Sequence, residues 1–194
     1  MLNAIEKLAK GFALLGGATL SLLILITCAS IAGRSLNSIF HSDWSQSTIP
    51  EFANYLLSLG VGPINGDYEL VEAGMVFAIF AFLPLCQWHG AHAKVTIFTS
   101  QFPLGAQRLL IAIIECVFAL ALIVIAKQLF EGMESKRNSG QVTFLLEYPL
   151  WWSYALGLSA AMVSALVATV LAGTRLMELF TGRKLFPEAK DAEH

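Results

Sequence analysis

Four long apolar blocks divide this chain: Phe12–Ala32, Leu70–Trp88, Leu109–Phe130 and Leu150–Met177. Each is long enough to cross a hydrocarbon core of about 30 Å at about 1.5 Å per residue. The pattern predicts an all-α integral membrane fold. Its four transmembrane helices lie at about 12–32, 70–88, 109–130 and 150–177, in a single domain over 1–194. The longest polar stretch, 34–66, is expected on the outer side, and the charged tail 182–194 is expected to be disordered.

The first half of the 34–66 segment is rich in Ser and Asn and reads as irregular. Pro50 and Glu51 can then start a short helix, because Pro suits a first helical position. Phe52, Tyr55, Leu56 and Leu59 recur at helical spacing and give it one apolar face, and Gly60, Gly62 and Pro63 stop it. Such a helix either lies in the membrane interface or docks an external partner, with Glu51, Phe52 and Tyr55 as the contact. The third connection, near Glu131–Glu147, contains the turn signal Asn138-Ser139-Gly140. Trp151, Trp152 and Tyr154 then suit a membrane–water boundary.

Composition agrees with a bilayer as solvent. Hydrophobic residues make up 56% of the chain and charged residues 13%, against about 25% charged in soluble domains. The formal net charge of −2 says little about partners, and no basic tract points to nucleic acid. Cys28, Cys86 and Cys116 all fall inside apolar blocks and pack as small hydrophobes rather than forming a disulfide framework. The first block exceeds the 7–15 residues of a signal-peptide core, so it is expected to be a retained anchor.

Basic residues set the expected orientation. With the N-terminus inside, Lys7, Lys10, Lys94, Arg108, Arg175, Arg183, Lys184 and Lys190 fall on the cytoplasmic side. Arg34, Lys127, Lys136 and Arg137 fall on the other, so both termini are expected in the cytoplasm.

Few residues can carry chemistry. Asp67 suits the start of the second helix, where the macrodipole also favours Glu69. Glu72 lies deeper and needs a partner, and Arg34 at a similar level suggests an ion pair clamping the first two helices. Glu115, about two turns inside the third block, is costly in lipid and a functional hypothesis by default. Its nearest polar candidates at similar depth are Gln87 and the loop after it. His89 and His92 form a His-Gly-Ala-His run, but Gly90 weakens a helix there and a third ligand is not evident. No nucleophile motif or phosphate loop is present. Neither an enzyme nor a bound cofactor or metal is expected. Pro84 marks a kink or end of the second helix. In the fourth block, Gly157, Ala161, Ala165, Thr169 and Gly173 recur every four residues, with Ala160, Ser164, Ala168 and Ala172 beside them. Small residues at this spacing let helices approach closely, within the bundle or against another subunit.

Several of these residues resemble a known family. The run Gly66-Asp67-Tyr68-Glu69-Leu70-Val71-Glu72 is similar to the second-helix entrance of the small membrane subunit of tripartite ATP-independent periplasmic (TRAP) transporters. Phe82–Gln87, Val95–Phe98 with Gln101-Phe102-Pro103, Arg34, and Pro149–Tyr154 extend the resemblance over nearly the whole chain. Two features depart from it: about thirty residues separate Arg34 from the Gly66 run, and Thr96 stands where the family often has Asp. The resemblance implies a subunit of the bacterial inner membrane. A periplasmic binding protein delivers a substrate, usually an organic acid, to a large permease subunit that holds the substrate and sodium sites. The small subunit is its scaffold and offers surface to the binding protein. Three other readings stand beside it: an autonomous carrier or channel coupled through Glu115, a metal or haem protein using His89 and His92, and a structural protein with no transport link.

Overall fold

The computed structural model describes residues 2–90 and 103–181. His92, Thr96 and the 182–194 tail lie outside them. Every apolar block is helical. The first lies in α1 (Leu2–Phe40) and the second in α4 (Asp67–Trp88). The third lies in α5 (Leu104–Ser139) and the fourth in α6 (Trp151–Thr181). Two short helices, α2 (Asp43–Thr48) and α3 (Pro50–Ser58), fill the connection between the first two long ones. All four long helices are apolar and long enough to cross a membrane.

The helices run past the apolar blocks, and this corrects two expectations. The Ser/Asn-rich stretch is not irregular: α1 continues to Phe40, and α2 follows after a short turn. Ser and Asn disfavour a helix by only a few tenths of a kcal/mol each, which a helix already propagating absorbs. Their side chains also find partners there. Asn37 Nδ2 donates to the Val61 carbonyl at 2.9 Å, and the Ser42 hydroxyl caps α2 by accepting from Ser45 N. The third connection is likewise shorter than expected. α5 reaches Ser139 and ends at Gly140, whose φ of +63° provides the left-handed cap. Contacts with α6 hold this last part in place, with Tyr154 against Gly132 and Arg137 over the Trp151 ring. α3 begins at Pro50 as the sequence predicts.

The long helices pack in the order α1–α4–α6–α5. α1 is antiparallel to α4: Phe12 meets Phe77, Gly16 meets Ala81 and Leu23 meets Gly74. α4 is parallel to α6, with Val76 against Gly157 and Phe80 against Ser164. The result is a layer with α4 and α6 in the middle and α1 and α5 at the edges. The α6 span is accordingly 56% buried, against 17–22% for the other three. Its core is built from small side chains: Ala165, Ala168 and Ala172 face Ala119 and Leu122 of α5. Val167 and Leu171 face Trp88 and Ile5.

Candidate functional site

Pro84 does not end α4; the helix continues to Trp88. A proline has no N–H, so the carbonyl four residues earlier, that of Phe80, loses its helical donor. Ser164 of α6, fully buried, replaces it: its Oγ lies 2.6 Å from Phe80 O and 3.0 Å from its own Ala160 O. Away from water an unpartnered carbonyl is costly, so this bond ties α4 to α6 at the proline.

The same seam explains the small residues of α6. Gly157, Ala161 and Ala165 are buried, as are Ala160, Ser164, Ala168 and Ala172. A Cβ on Gly157 would stand 2.6 Å from Val76 Cγ1, so glycine sets how closely α4 and α6 approach. Thr169 and Gly173 are exposed. The reason is geometric: residues four apart advance about 40° around a helix, so the row turns through about 160° between Gly157 and Gly173. The row therefore leaves the seam partway along.

At the Asp67 end, α4 starts from Gly66, whose φ is +79°. A Cβ there would overlap the Leu146 side chain, so only glycine admits both this turn and this contact. Asp67 Oδ1 accepts from Tyr68 N at 2.8 Å. The two carboxylate oxygens of Glu69 accept from the backbone N–H groups of Leu145 (2.7 Å) and Leu146 (2.9 Å). Tyr148 adds a bond from its hydroxyl to Glu69 O at 3.4 Å and shares a second with Ser153 at 2.8 Å. Glu69 thereby clamps the loop between α5 and α6, which closes on itself through Thr143 N to Tyr148 O and Leu150 N to Gln141 O. The clamped loop presents Phe144 to the surroundings at 92% exposure. Tyr68, next to Glu69 in the sequence, is exposed as well.

Arg34 and Glu72 do not form an ion pair. Among the described residues the ion pairs join Glu6 to Lys10, Lys127 to Glu131 and Arg175 to Glu178. What holds the end of α1 is side-chain bonding to the backbone that follows it: Ile64 N donates to Ser30 Oγ at 3.3 Å, and Asn37 Nδ2 donates to Val61 O. Glu115 does meet a neighbour across the layer, accepting from Gln87 Nε2 at 2.9 Å. On α3 only Ala53 is buried, and Phe52, Tyr55 and Leu59 stand exposed beside Glu51. His89 caps the end of α4, and among the described residues no three His, Cys, Asp or Glu side chains come together as a metal site.

The family model for the DctQ component of tripartite ATP-independent periplasmic transporters matches residues 55–180, well over half of the sequence. The chain belongs to this family. As a DctQ component it is a multi-pass protein of the bacterial inner membrane and a transport subunit rather than an enzyme. No curated protein and no solved structure matches it. The match takes in α4, α5 and α6 together with the Glu69 clamp and the Ser164 lock; α1 and α2 precede it. Sequence reasoning singled out Gly66, Asp67 and Glu69 but missed what Glu69 holds, because its partners are backbone groups more than seventy residues away. Ser164 stood in a row of small residues, and only the proline opposite gives it a role. That pairing was the available signal: a proline in one apolar helix and a buried hydroxyl in another.

Proposed function

We propose that this DctQ component is the scaffold of a sodium-coupled, binding-protein-dependent transporter that imports an organic acid. It supports the large permease subunit and offers surface to the periplasmic binding protein. The family match carries this reading. The described polar groups agree with it: Ser164, Glu69 and Gln87 hold helices and loops of this chain to one another. The excess of basic residues at the Leu2/Thr181 end supports an N-in, C-in orientation, with the Asp67 end facing the periplasm. Glu51, Phe52 and Tyr55 on α3 are the proposed contact for the binding protein, and the α6 small-residue seam is an internal packing surface. The test is affinity purification of tagged protein from its native membrane in mild detergent, followed by mass spectrometry. Recovery of a large polytopic permease supports the reading. Recovery of this chain alone after cross-linking, together with transport by the purified chain in liposomes, would replace it with an autonomous carrier. Deleting 51–59 is expected to weaken uptake while leaving the complex in the membrane; normal uptake would remove α3 as the docking element.

A further inference from the structure

Two arginines and one glutamate converge at the Thr181 end of the layer. Arg108 of α5 and Arg175 and Glu178 of α6 line a small cleft between these two helices, with Ile111 and Leu179 as its apolar walls. Its volume is about 30 Å³, room for one oxygen-sized group. Glu178 accepts from Arg175 Nη1 at 2.8 Å and fixes that guanidinium in place. Arg108 stands exposed at the rim. The cleft thus carries two positive charges against one negative. Its depth follows from the packing. α4 has 22 residues, about 33 Å, and its last residue, Trp88, packs against Val167 and Leu171. Arg175 comes one turn after Leu171, about 6 Å farther out. The headgroup region beyond the hydrocarbon core is about 5–8 Å deep on each side. The cleft therefore stands at the level of lipid phosphates, open to them from the edge helix α5.

We propose that this cleft binds the phosphate of an anionic phospholipid of the phosphatidylglycerol type. A single arginine at this level is an ordinary anchor for a membrane helix. Two of them, on neighbouring helices and lining one cleft, form a cradle in which guanidinium groups donate charge-assisted hydrogen bonds to phosphate oxygens. A lipid with one net negative charge offsets the one excess positive charge of the cleft. A zwitterionic lipid brings its own cation and leaves that excess uncompensated. The lipid also finds a place for its chains: Ile111 in the cleft wall and Ile114, one turn deeper on α5, are both exposed and lead from the arginines into the core. The site requires only that the chain spans a bilayer, and it does not depend on the scaffold reading.

The experiment titrates the full chain, purified in detergent, with dioleoylphosphatidylglycerol, and separately with dioleoylphosphatidylcholine, and counts bound lipids by native mass spectrometry. One phosphatidylglycerol is expected to bind at least about fivefold more tightly than phosphatidylcholine. Arg108→Gln should remove most of that preference. Ile111→Glu should do the same by adding a carboxylate to the cleft from an exposed position. Lys7→Gln, which removes an exposed charge at the same end of the layer but on α1, should leave it unchanged. Equal affinity for the two lipids would overturn the site. So would an equal loss in Lys7→Gln, which would reduce the effect to general attraction by positive charge, or a preference that survives both Arg108→Gln and Ile111→Glu. Inorganic phosphate is the last arm: displacement of phosphatidylglycerol by millimolar phosphate would replace the lipid with a soluble phosphate as the ligand.

Discussion

Ser164 has meaning only opposite Pro84. One residue removes a donor from α4, and the other, on a different helix, returns it to the stranded Phe80 carbonyl at 2.6 Å. Ser164→Ala is therefore expected to destabilise the detergent-solubilised protein by about 1 kcal/mol, the scale of interhelical hydrogen bonds in membranes. In a Pro84→Ala background the residue at position 84 has an N–H of its own, and the same substitution should cost close to nothing. Thermal unfolding of the four proteins of this cycle checks it, and equal costs in both backgrounds would refute the lock. Gly157 and Gly173 offer a second contrast. Gly157→Leu should lower thermal stability sharply, because even a Cβ lies 2.6 Å from Val76, whereas a Cβ at the exposed Gly173 meets nothing within 4 Å and Gly173→Leu should leave stability nearly unchanged. At this scale the sequence was legible where depth within a block sufficed, as for Glu115 beside Gln87. It misled where depth stood in for distance: Arg34 and Glu72 do not pair.

Among the elements, the long helices were legible because the length of an apolar run in lipid leaves the backbone no alternative to a helix. Their ends were not. The last turns of α1 and α5 are polar, and hydropathy alone reads a polar helix as a loop. What keeps them helical is tertiary, such as Asn37 on Val61 and Tyr154 on Gly132. The loop between α5 and α6 is an element in its own right, closed by its own backbone bonds and seated on Glu69. Glu69→Ala should free it while α4, α5 and α6 stay folded. Amide exchange at Leu145 and Leu146 should then rise well over tenfold, and chymotrypsin should cut at the exposed Phe144 faster than in wild type. Unchanged exchange at both amides would mean that the loop holds itself without the carboxylate.

At the level of the molecule, helix lengths differ in a way that the layer makes visible. α4 has 22 residues, about 33 Å, and matches the hydrocarbon core, while α5 and α6 have 36 and 31 and extend beyond it. The family was recognisable in the sequence because its marks cluster where α4 begins and α6 opens, the region the Glu69 clamp holds together. The packing order was not. Nothing in four similar apolar blocks says that the second sits beside the fourth, because small residues fit many neighbours. The parallel run of α4 with α6 has a consequence for assembly. α1 with α4, and α5 with α6, are two self-contained antiparallel hairpins, and most of what joins them is one seam in which Gly157 meets Val76 and Ser164 meets Phe80. A gene divided within codons 91–102 should yield two fragments that insert independently and find each other in the bilayer, and Ser164→Ala should weaken their reunion more than it weakens the intact chain.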